Sequence, residues 1–453
     1  MQPGSWLDEL REKLRENRVV VGVVGLGYVG LPLSLLYASK GFRVIGYDID
    51  QGRVEAIRRG RSYINYIPDH EVARVVKEGL LEAYTSPEPL HEADFILVTV
   101  PTPLRCNGLP DLSYVRSAAR SVGRVLRRGQ VVVLESSTYP GTTREVLAPI
   151  LEEESGLRVV RDFGVAYSPE RINPGDTRYK LEDIPKVVGG ITPEITDIVA
   201  EFYSKAFKYV VKVKDCKTAE ATKMLENMFR YINIALVNEL AVAFEKMGIN
   251  VWEVIEAAKT KPFGFMAFYP GPGVGGHCIP VDPFYLRYSA WRHGAVLRLV
   301  EVAASINNYM PVHVVNLVEE GLAKLGKRIR GARVAVLGLA YKPDVNDARE
   351  SPSIRIIEEL VERGAVVRVH DPLVESVKTV YGVFQSTVDP LELVGWADAV
   401  VIAVNHTAYH SKELVTKLLN PGKELVVVDT RNLLSGARPG PGVVLLRLGA
   451  PHS

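Results

Sequence analysis

The Val-rich run from Val19 to Val24 breaks into glycines at Gly25-Leu26-Gly27-Tyr28-Val29-Gly30 and resumes as an uncharged stretch ending at Ser39. A G-x-G-x-x-G that follows a strand and opens a helix is the turn at which a parallel α/β sheet meets a dinucleotide. Its glycines let the backbone approach a pyrophosphate, whose charge is met by the helix N-terminus. The next strand ends at Asp48. A carboxylate there accepts both ribose hydroxyls and repels a 2′-phosphate, which favours NAD over NADP; a plain strand-end residue is the alternative. The stretch from Val19 to Ser39 is also long enough to cross a bilayer. Four glycines and Pro32 within it suit a strand, a turn and a buried helix start better, so no membrane span is expected.

The same plan occurs twice. Residues 18 to 50 and 333 to 372 each read as strand, turn, helix and strand, ending at Asp48 and Asp371. Further apolar runs follow each unit: 93–101, 130–138 and 163–170 after the first, 397–405 and 424–432 after the second. Continuous Val-rich runs separated by helical stretches indicate parallel strands covered on both faces. From Asp215, an expected N-cap, to Gly248, an expected stop, there is neither Pro nor Gly, so up to 32 residues can form one helix. Its apolar residues cover more than one stripe, which points to burial on several sides and to a partner subunit. The expected fold class is α/β: two Rossmann-like doubly wound domains, 1–205 and 326–453, joined by a central helical domain, 206–325, with a long helix.

With Lys+Arg 55 against Asp+Glu 53, the formal charge is only +2, which argues against a nucleic-acid binder. Cys106, Cys216 and Cys278 form no C-x-x-C pair, and an odd count fits neither a disulfide framework nor a structural zinc site. A reducing, cytoplasmic setting is the simplest inference, with no metal expected.

The chemistry concentrates in a few segments. GPGVGGHCIPVDP (271–283) has too many glycines and prolines for regular core and sets Cys278 on backbone that can come close to a ligand, with Asp282 four residues later. An ionised thiol there can add to a carbonyl. A buried inert cysteine and a metal site through His277, Cys278 and Asp282 are the alternatives. Glu220, Lys223 and Asn227 share a stripe of the long helix, where an ammonium and an amide suit a developing oxyanion. Thr138 and Glu170 each close an apolar strand, at the end where doubly wound sheets bind ligands. In the second unit Gly338-Leu339-Ala340 replaces the full fingerprint, so a second dinucleotide is not expected. Lys342, Asp344, Asp347 and Arg349 in its turn are either a phosphate or sugar site or a solvated charged loop.

Taken together, GxGYVGLP, Pro101-Thr102-Pro103, ESSTYPGTT (135–143), YSPERINPGD (167–176), the AExxKxxxN helix, GGHCIPVDP and KPDVNDARES (342–351) resemble the UDP-glucose/GDP-mannose dehydrogenase family, in order from about Val20 to Arg431. The resemblance implies oxidation of the primary alcohol of a nucleotide-linked hexose to a carboxylate, with two NAD per turnover, no release of the aldehyde, and a homodimer formed through the central domain. By the same resemblance Cys278 captures the aldehyde as a thiohemiacetal that becomes a thioester, and Asp282 and Thr138 handle the proton and the water. Lys223 and Asn227 stabilise the oxyanion, and Glu170 assists hydrolysis. Gly25, Gly27, Tyr28, Val29, Gly30, Asp48, Arg53, Pro101, Thr102, Ser137 and Thr138 are implied to meet NAD. Arg171, Phe265, Tyr269, Gly275, His277, Lys342 and Arg431 are implied to meet the substrate.

Two positions depart from the UDP-glucose branch. That branch usually has Ser before the catalytic Cys and an apolar residue after the Glu of the second motif, where this chain has His277 and Arg171. Both, with the 260–286 segment, look most like the branch acting on UDP-N-acetylhexosamines, particularly UDP-N-acetylglucosamine; UDP-N-acetylmannosamine dehydrogenases share GGHC, so the epimer stays open. UDP-glucose 6-dehydrogenase is the alternative within the family. Outside it stand a hydroxyacid-type Rossmann dehydrogenase, which would yield one NADH per substrate rather than two, and a catalytically silent NAD-binding scaffold.

Overall fold

The Val-rich runs become strands because β-branched side chains pack well on a pleated surface that is covered on both sides. The computed structural model describes residues 5–105, 107–172 and 179–452; Cys106 and the 173–176 part of the YSPERINPGD motif lie outside the described residues. The chain divides into two compact units: Met1–Glu226 with Val281–Val296, and Asn227–Pro280 with Leu297–Ser453.

The first unit is built on eight strands: β1 (Val21–Val24), β2 (Val44–Tyr47), β3 (Leu81–Tyr84), β4 (Phe95–Val98), β5 (Val131–Leu134), β6 (Gly164–Tyr167), β7 (Lys186–Gly190) and β8 (Val210–Lys212). Their order is β3-β2-β1-β4-β5-β6-β7-β8. The pairs from β3 to β6 are parallel, with Val21 of β1 opposite Val44 and Phe95; β7 then runs antiparallel to β6, and β8 parallel to β7. Of these, β8 falls in the 206–325 segment that the sequence shows as short of strand signals. One face of the sheet packs Val21, Val23, Leu31, Phe95 and Phe202, the other Val24, Ile45, Ile96, Val132 and Tyr167. The helix Trp6–Arg15 adds Trp6, Leu10 and Leu14 to the first face, and Lys13 pairs with Asp94 at 2.9 Å.

The second unit carries a parallel sheet of β9 (Arg333–Leu337), β10 (Val366–His370), β13 (Ala399–Ile402), β14 (Leu425–Asp429) and β15 (Val443–Arg447), in the order β10-β9-β13-β14-β15. The hairpin β11 (Ser376–Thr379) and β12 (Gly382–Gln385) forms a sheet of its own beside β10, where Thr387 N donates to the Val369 carbonyl at 2.9 Å. Within this unit the helix Arg298–Lys324 packs Val314, Val315 and Val318 into the same cluster as Val334, Val336 and Val428.

The long helix runs Cys216–Met247, the 32 residues expected from the lack of Pro and Gly. Asp215 caps it, its Oδ1 accepting from Thr218 N at 2.8 Å, and Gly248 ends it at φ +73°, a left-handed conformation that glycine adopts freely. Among the described residues no helix is long and apolar enough to cross a membrane; Val19–Ser39 resolves into β1, the glycine turn and the helix Gly30–Ser39.

Candidate active site

In the first unit the residues singled out from the sequence follow the carboxyl ends of β1, β4, β5 and β6, which are neighbours in the sheet in that order. The strand order reverses between β1 and β4, and doubly wound sheets bind ligands at such a reversal. After β1, Gly25 takes φ +89°, and a Cβ on Gly30 would lie 1.9 Å from the carbonyl oxygen of Gly25, so the helix can start this close to the turn only with glycine. Gly27 faces open space; a Cβ there would meet only Arg53 Nη1, at 3.8 Å. Tyr28 and Val29, partly buried, lead into the helix. A bare turn opening on a helix N-terminus fits the pyrophosphate of a dinucleotide.

Asp48 has a duty that the sequence did not disclose. Its Oδ2 accepts from Leu26 N at 2.7 Å and lies 3.3 Å from Arg53 Nη1, while its Oδ1 accepts from Asp50 N at 2.9 Å. It therefore anchors the glycine turn. After β4, Pro101 is exposed and Thr102 buried; after β5, Ser137 is partly buried and Thr138 fully so. Thr138 Oγ1 donates to Thr142 Oγ1 at 2.6 Å, which leaves its oxygen as an acceptor.

Glu220 was grouped with Lys223 by helix spacing, but it faces the 138–143 loop instead. It accepts from Gly141 N (2.5 Å), Thr143 N (2.8 Å) and Thr143 Oγ1 (2.6 Å). Burial pushes its carboxyl up to about 7 against those hydrogen bonds. Lys223 is buried rather than solvated, and its ammonium donates to the carbonyl of Glu170. Glu170, also buried, turns Oε1 to the backbone N–H groups of Arg171 (2.6 Å) and Ile172 (2.5 Å). Arg171, expected at the substrate, holds Glu226 with its fork at 2.6 and 3.3 Å and the carbonyl of Pro185 at 2.8 Å. Glu226 lies three residues after Lys223, so the pair fastens the Glu170 loop to the long helix. Asp282, buried, begins the helix Asp282–Arg292.

The second unit holds Cys278 half-buried on the irregular 260–281 segment. Neither Cys278 nor Cys216 forms a disulfide. They differ in character, because burial pushes the Cys216 thiol up to about 12. The loop's glycines meet the chain itself. A Cβ on Gly275 would lie 2.8 Å from the Glu350 carbonyl and from Pro352 Cδ, and one on Gly276 (φ +89°) 2.8 Å from the Tyr341 ring. At Gly271 a Cβ would come 2.4 Å from an Arg431 nitrogen, and Gly271 N donates to Asn238 Oδ1 at 2.9 Å. Arg431 donates through Nε to the Ala403 carbonyl at 3.0 Å, and burial lowers its guanidinium to about 10. These close packings are a reason for glycine at 271, 275 and 276 that the sequence did not reveal.

His277 is partly buried beside Cys278, and Asn227 accepts through Oδ1 from Arg230. Phe265 is exposed, whereas Tyr269, although exposed too, stacks on Trp252 and donates to Glu256 Oε1 at 2.5 Å. Tyr269 is thus tied to the helix Val251–Lys259. In the 342–350 turn Arg349 forks Asp347 at 2.9 and 2.6 Å, so that cation is neutralised locally, while the Lys342 ammonium lies 5.8 Å from the Tyr341 ring centre. His406, which the sequence did not flag, is buried four residues past β13. Its Nδ1 accepts from Asp344 N (3.1 Å) and its Nε2 donates to Asp371 Oδ2 (3.0 Å), which ties the Lys342 turn to β10.

Comparison with known proteins follows the same division of labour. The chain matches the UDP-glucose/GDP-mannose dehydrogenase family in three pieces: the NAD binding domain over residues 19–207, the central domain over 217–309 and the UDP binding domain over 335–436. It is 39% identical over 420 residues to UDP-N-acetyl-D-glucosamine 6-dehydrogenase of Pseudomonas aeruginosa, covering 91% of this chain and 97% of that protein. The solved structure of UDP-D-ManNAc dehydrogenase from Pyrococcus horikoshii superposes with a TM-score of 0.85 at 34% identity, over 95% of this chain and 99% of that one. A UDP-glucose dehydrogenase from Pyrobaculum islandicum gives 0.84 at 30%, over 96% and 98%. With the glycine turn at the first sheet's reversal point and all three family domains in order, the chain belongs to the UDP-glucose/GDP-mannose dehydrogenase family and is an NAD-dependent nucleotide-sugar dehydrogenase.

Proposed function

We propose that this enzyme oxidises the C6 primary alcohol of a UDP-N-acetylhexosamine to the carboxylate, with Cys278 as the covalent nucleophile. The contrast between the two cysteines carries the proposal: Cys216 is buried with its thiol raised to about 12, whereas Cys278 is half-buried on an irregular glycine-proline loop. In balance, RCH2OH + 2 NAD+ + H2O gives RCOO− + 2 NADH + 3 H+. NAD, when bound, supplies the two-electron acceptor for each oxidation.

The chain's own groups do the rest. The Cys278 thiolate adds to the aldehyde carbon, the thiohemiacetal is oxidised to a thioester, and water cleaves it. Lys223 gives one of its three N–H directions to the Glu170 carbonyl and keeps two for an oxyanion, with Asn227 as a second donor. Thr138, whose proton points to Thr142, accepts from the water or the alcohol; Asp282 takes the proton and Glu170 assists hydrolysis. Gly25, Gly27 and Gly30 with Asp48 hold NAD, and Lys342 and Arg431 hold the nucleotide sugar. NAD is assigned to residues 1–205, the dimer contact to 206–325 and UDP-sugar binding to 326–453. Keeping Cys278 a thiol suits a reducing cytoplasm.

For the N-acetyl group, support comes from His277 beside Cys278 and from relatives named for N-acetylhexosamines. Arg171, held by Glu226, acts through the Glu170 loop rather than on the sugar. A site with a polar partner for the acetamide should favour it by about 1–3 kcal/mol, roughly ten- to a hundredfold. Initial NADH rates on UDP-N-acetylglucosamine, UDP-N-acetylmannosamine and UDP-glucose test this. A tenfold advantage in kcat/KM for UDP-glucose would reverse the substrate assignment and leave the cysteine chemistry standing.

A further inference from the structure

Glu135 opens the ESSTYPGTT motif and has no role in the chemistry above. It sits fully buried just past β5, with Oε1 accepting from Tyr203 OH at 2.5 Å and Oε2 from Lys186 Nζ at 2.5 Å. Lys186, the first residue of β7, is 3% exposed, and its ammonium lies 5.1 and 5.5 Å from the ring centres of Tyr203 and Phe207. The same ammonium reaches Glu170 Oε2 and the Pro169 carbonyl, each at 3.4 Å. With Glu170 Oε1 filled by two backbone N–H groups, Lys186 fixes the direction of the remaining carboxylate oxygen.

We propose that Lys186, itself held by Glu135, is a positioning residue that aims the Glu170 carboxylate for thioester hydrolysis. The proposal rests on the assignment of Glu170 to that step. A buried ion pair is weak evidence for stability, since well-packed apolar residues often serve as well. A lysine shared by two buried carboxylates, one of them at the strand ends where the sheet binds ligands, has a geometric task instead. The other charged or titratable groups about the trio are Lys223 on the Glu170 carbonyl, Arg171 drawn off to Glu226, and Tyr37, Tyr167 and Tyr203, whose hydroxyls burial raises well above their ordinary range. Burial also pushes the Glu135 carboxyl up to about 7 against the attraction of Lys186.

In the step concerned, water oxygen bonds to the thioester carbonyl carbon and the C–S bond breaks. Cys278 leaves as thiolate. One water proton passes to Glu170, and the second reaches solvent as the product acid ionises.

The test is intact-protein mass during steady turnover with NAD and the UDP-sugar that reacts fastest. Lys186→Met should lower kcat roughly 10- to 100-fold with both KM values within about twofold, and should accumulate the acyl adduct on Cys278. Lys186→Arg should restore turnover and remove the adduct. Glu135→Gln, which keeps the volume and the Tyr203 contact, should show a smaller accumulation and decides the matter if Lys186→Met does not fold. Glu170→Gln is the control. If it gathers no adduct, the hydrolytic assignment of Glu170 fails and this proposal with it. If it does while Lys186→Met and Glu135→Gln stay free of adduct, the positioning role alone is overturned.

Discussion

Cys278 is where a single atom decides the outcome. Removing its sulfur takes away the only group proposed to hold the aldehyde, yet touches nothing in the NAD turn. Cys278→Ala should therefore form no uronate while binding NAD within about twofold of wild type by fluorescence titration; undiminished turnover would sink the covalent role. Glu220 carries a different weight. Its carboxylate receives three donors from the 141–143 segment, and Glu220→Ala strands them in a buried place. Roughly 2–4 kcal/mol of stability should go, read as a lower denaturation midpoint, with kcat falling because Thr138 loses its support. Residue types and spacing made Cys278, Lys223 and Asp48 visible in the sequence, because their chemistry is local. Lys186 and His406 stayed hidden: a lysine opening a strand and a histidine in the loop after one look ordinary until partners far along the chain close around them.

At the level of elements, the long helix was legible to within a residue, since only Pro, Gly and caps were needed to bound it. The turn from β6 into an antiparallel β7 was not, because strand direction depends on tertiary contacts that a short apolar run does not encode. The helix Trp6–Arg15 was missed for a similar reason: two leucines and a tryptophan at helical spacing announce a face, not what it covers. The long helix also leaves Leu225 (61% exposed), Phe229 (45%) and Leu236 (50%) in solvent, and the helix Arg298–Lys324 leaves Leu299 and Val302. A second copy of the chain, as the proposed dimer contact has it, would bury such a surface. A dimer is expected at micromolar concentration by analytical ultracentrifugation, and Leu236→Glu should shift it towards monomer. A wild-type monomer under those conditions counts against the central helices as the dimer contact.

Over the whole molecule, one device is used twice with different results. In the first unit Gly25 N donates to the Tyr47 carbonyl and Leu26 N to Asp48; in the second Gly338 N donates to the His370 carbonyl and Leu339 N to Asp371. Asp371 takes two further bonds on the same oxygen, from Ala340 N at 2.9 Å and from His406. A ribose would find that carboxylate occupied. NAD titrated by calorimetry should thus saturate at one per chain, and two equivalent sites would contradict the difference between the turns. Burial alone would raise Asp371, but His406 and the backbone N–H groups outweigh it and hold the carboxyl at about 2. A depressed folded value means that the stabilisation is present above the unfolded value near 3.8 and is lost as pH falls towards 2. It amounts to about 1–2 kcal/mol after screening. Asp371→Asn should flatten the fall of the urea midpoint between those pH values.

The packing of Gly275 and Gly276 against Tyr341 and Pro352 reaches beyond any one variant. Neither glycine can gain a side chain unless the opposing segment gives way, so the cysteine loop and the 341–352 turn are not free to drift separately through descent. An alignment of relatives should show the two segments covarying, with smaller residues opposite wherever a glycine has been replaced. For anyone seeking to broaden the range of accepted sugars, libraries that randomise the cysteine loop alone will return mostly inactive clones, and paired libraries over both segments are where new specificities should emerge.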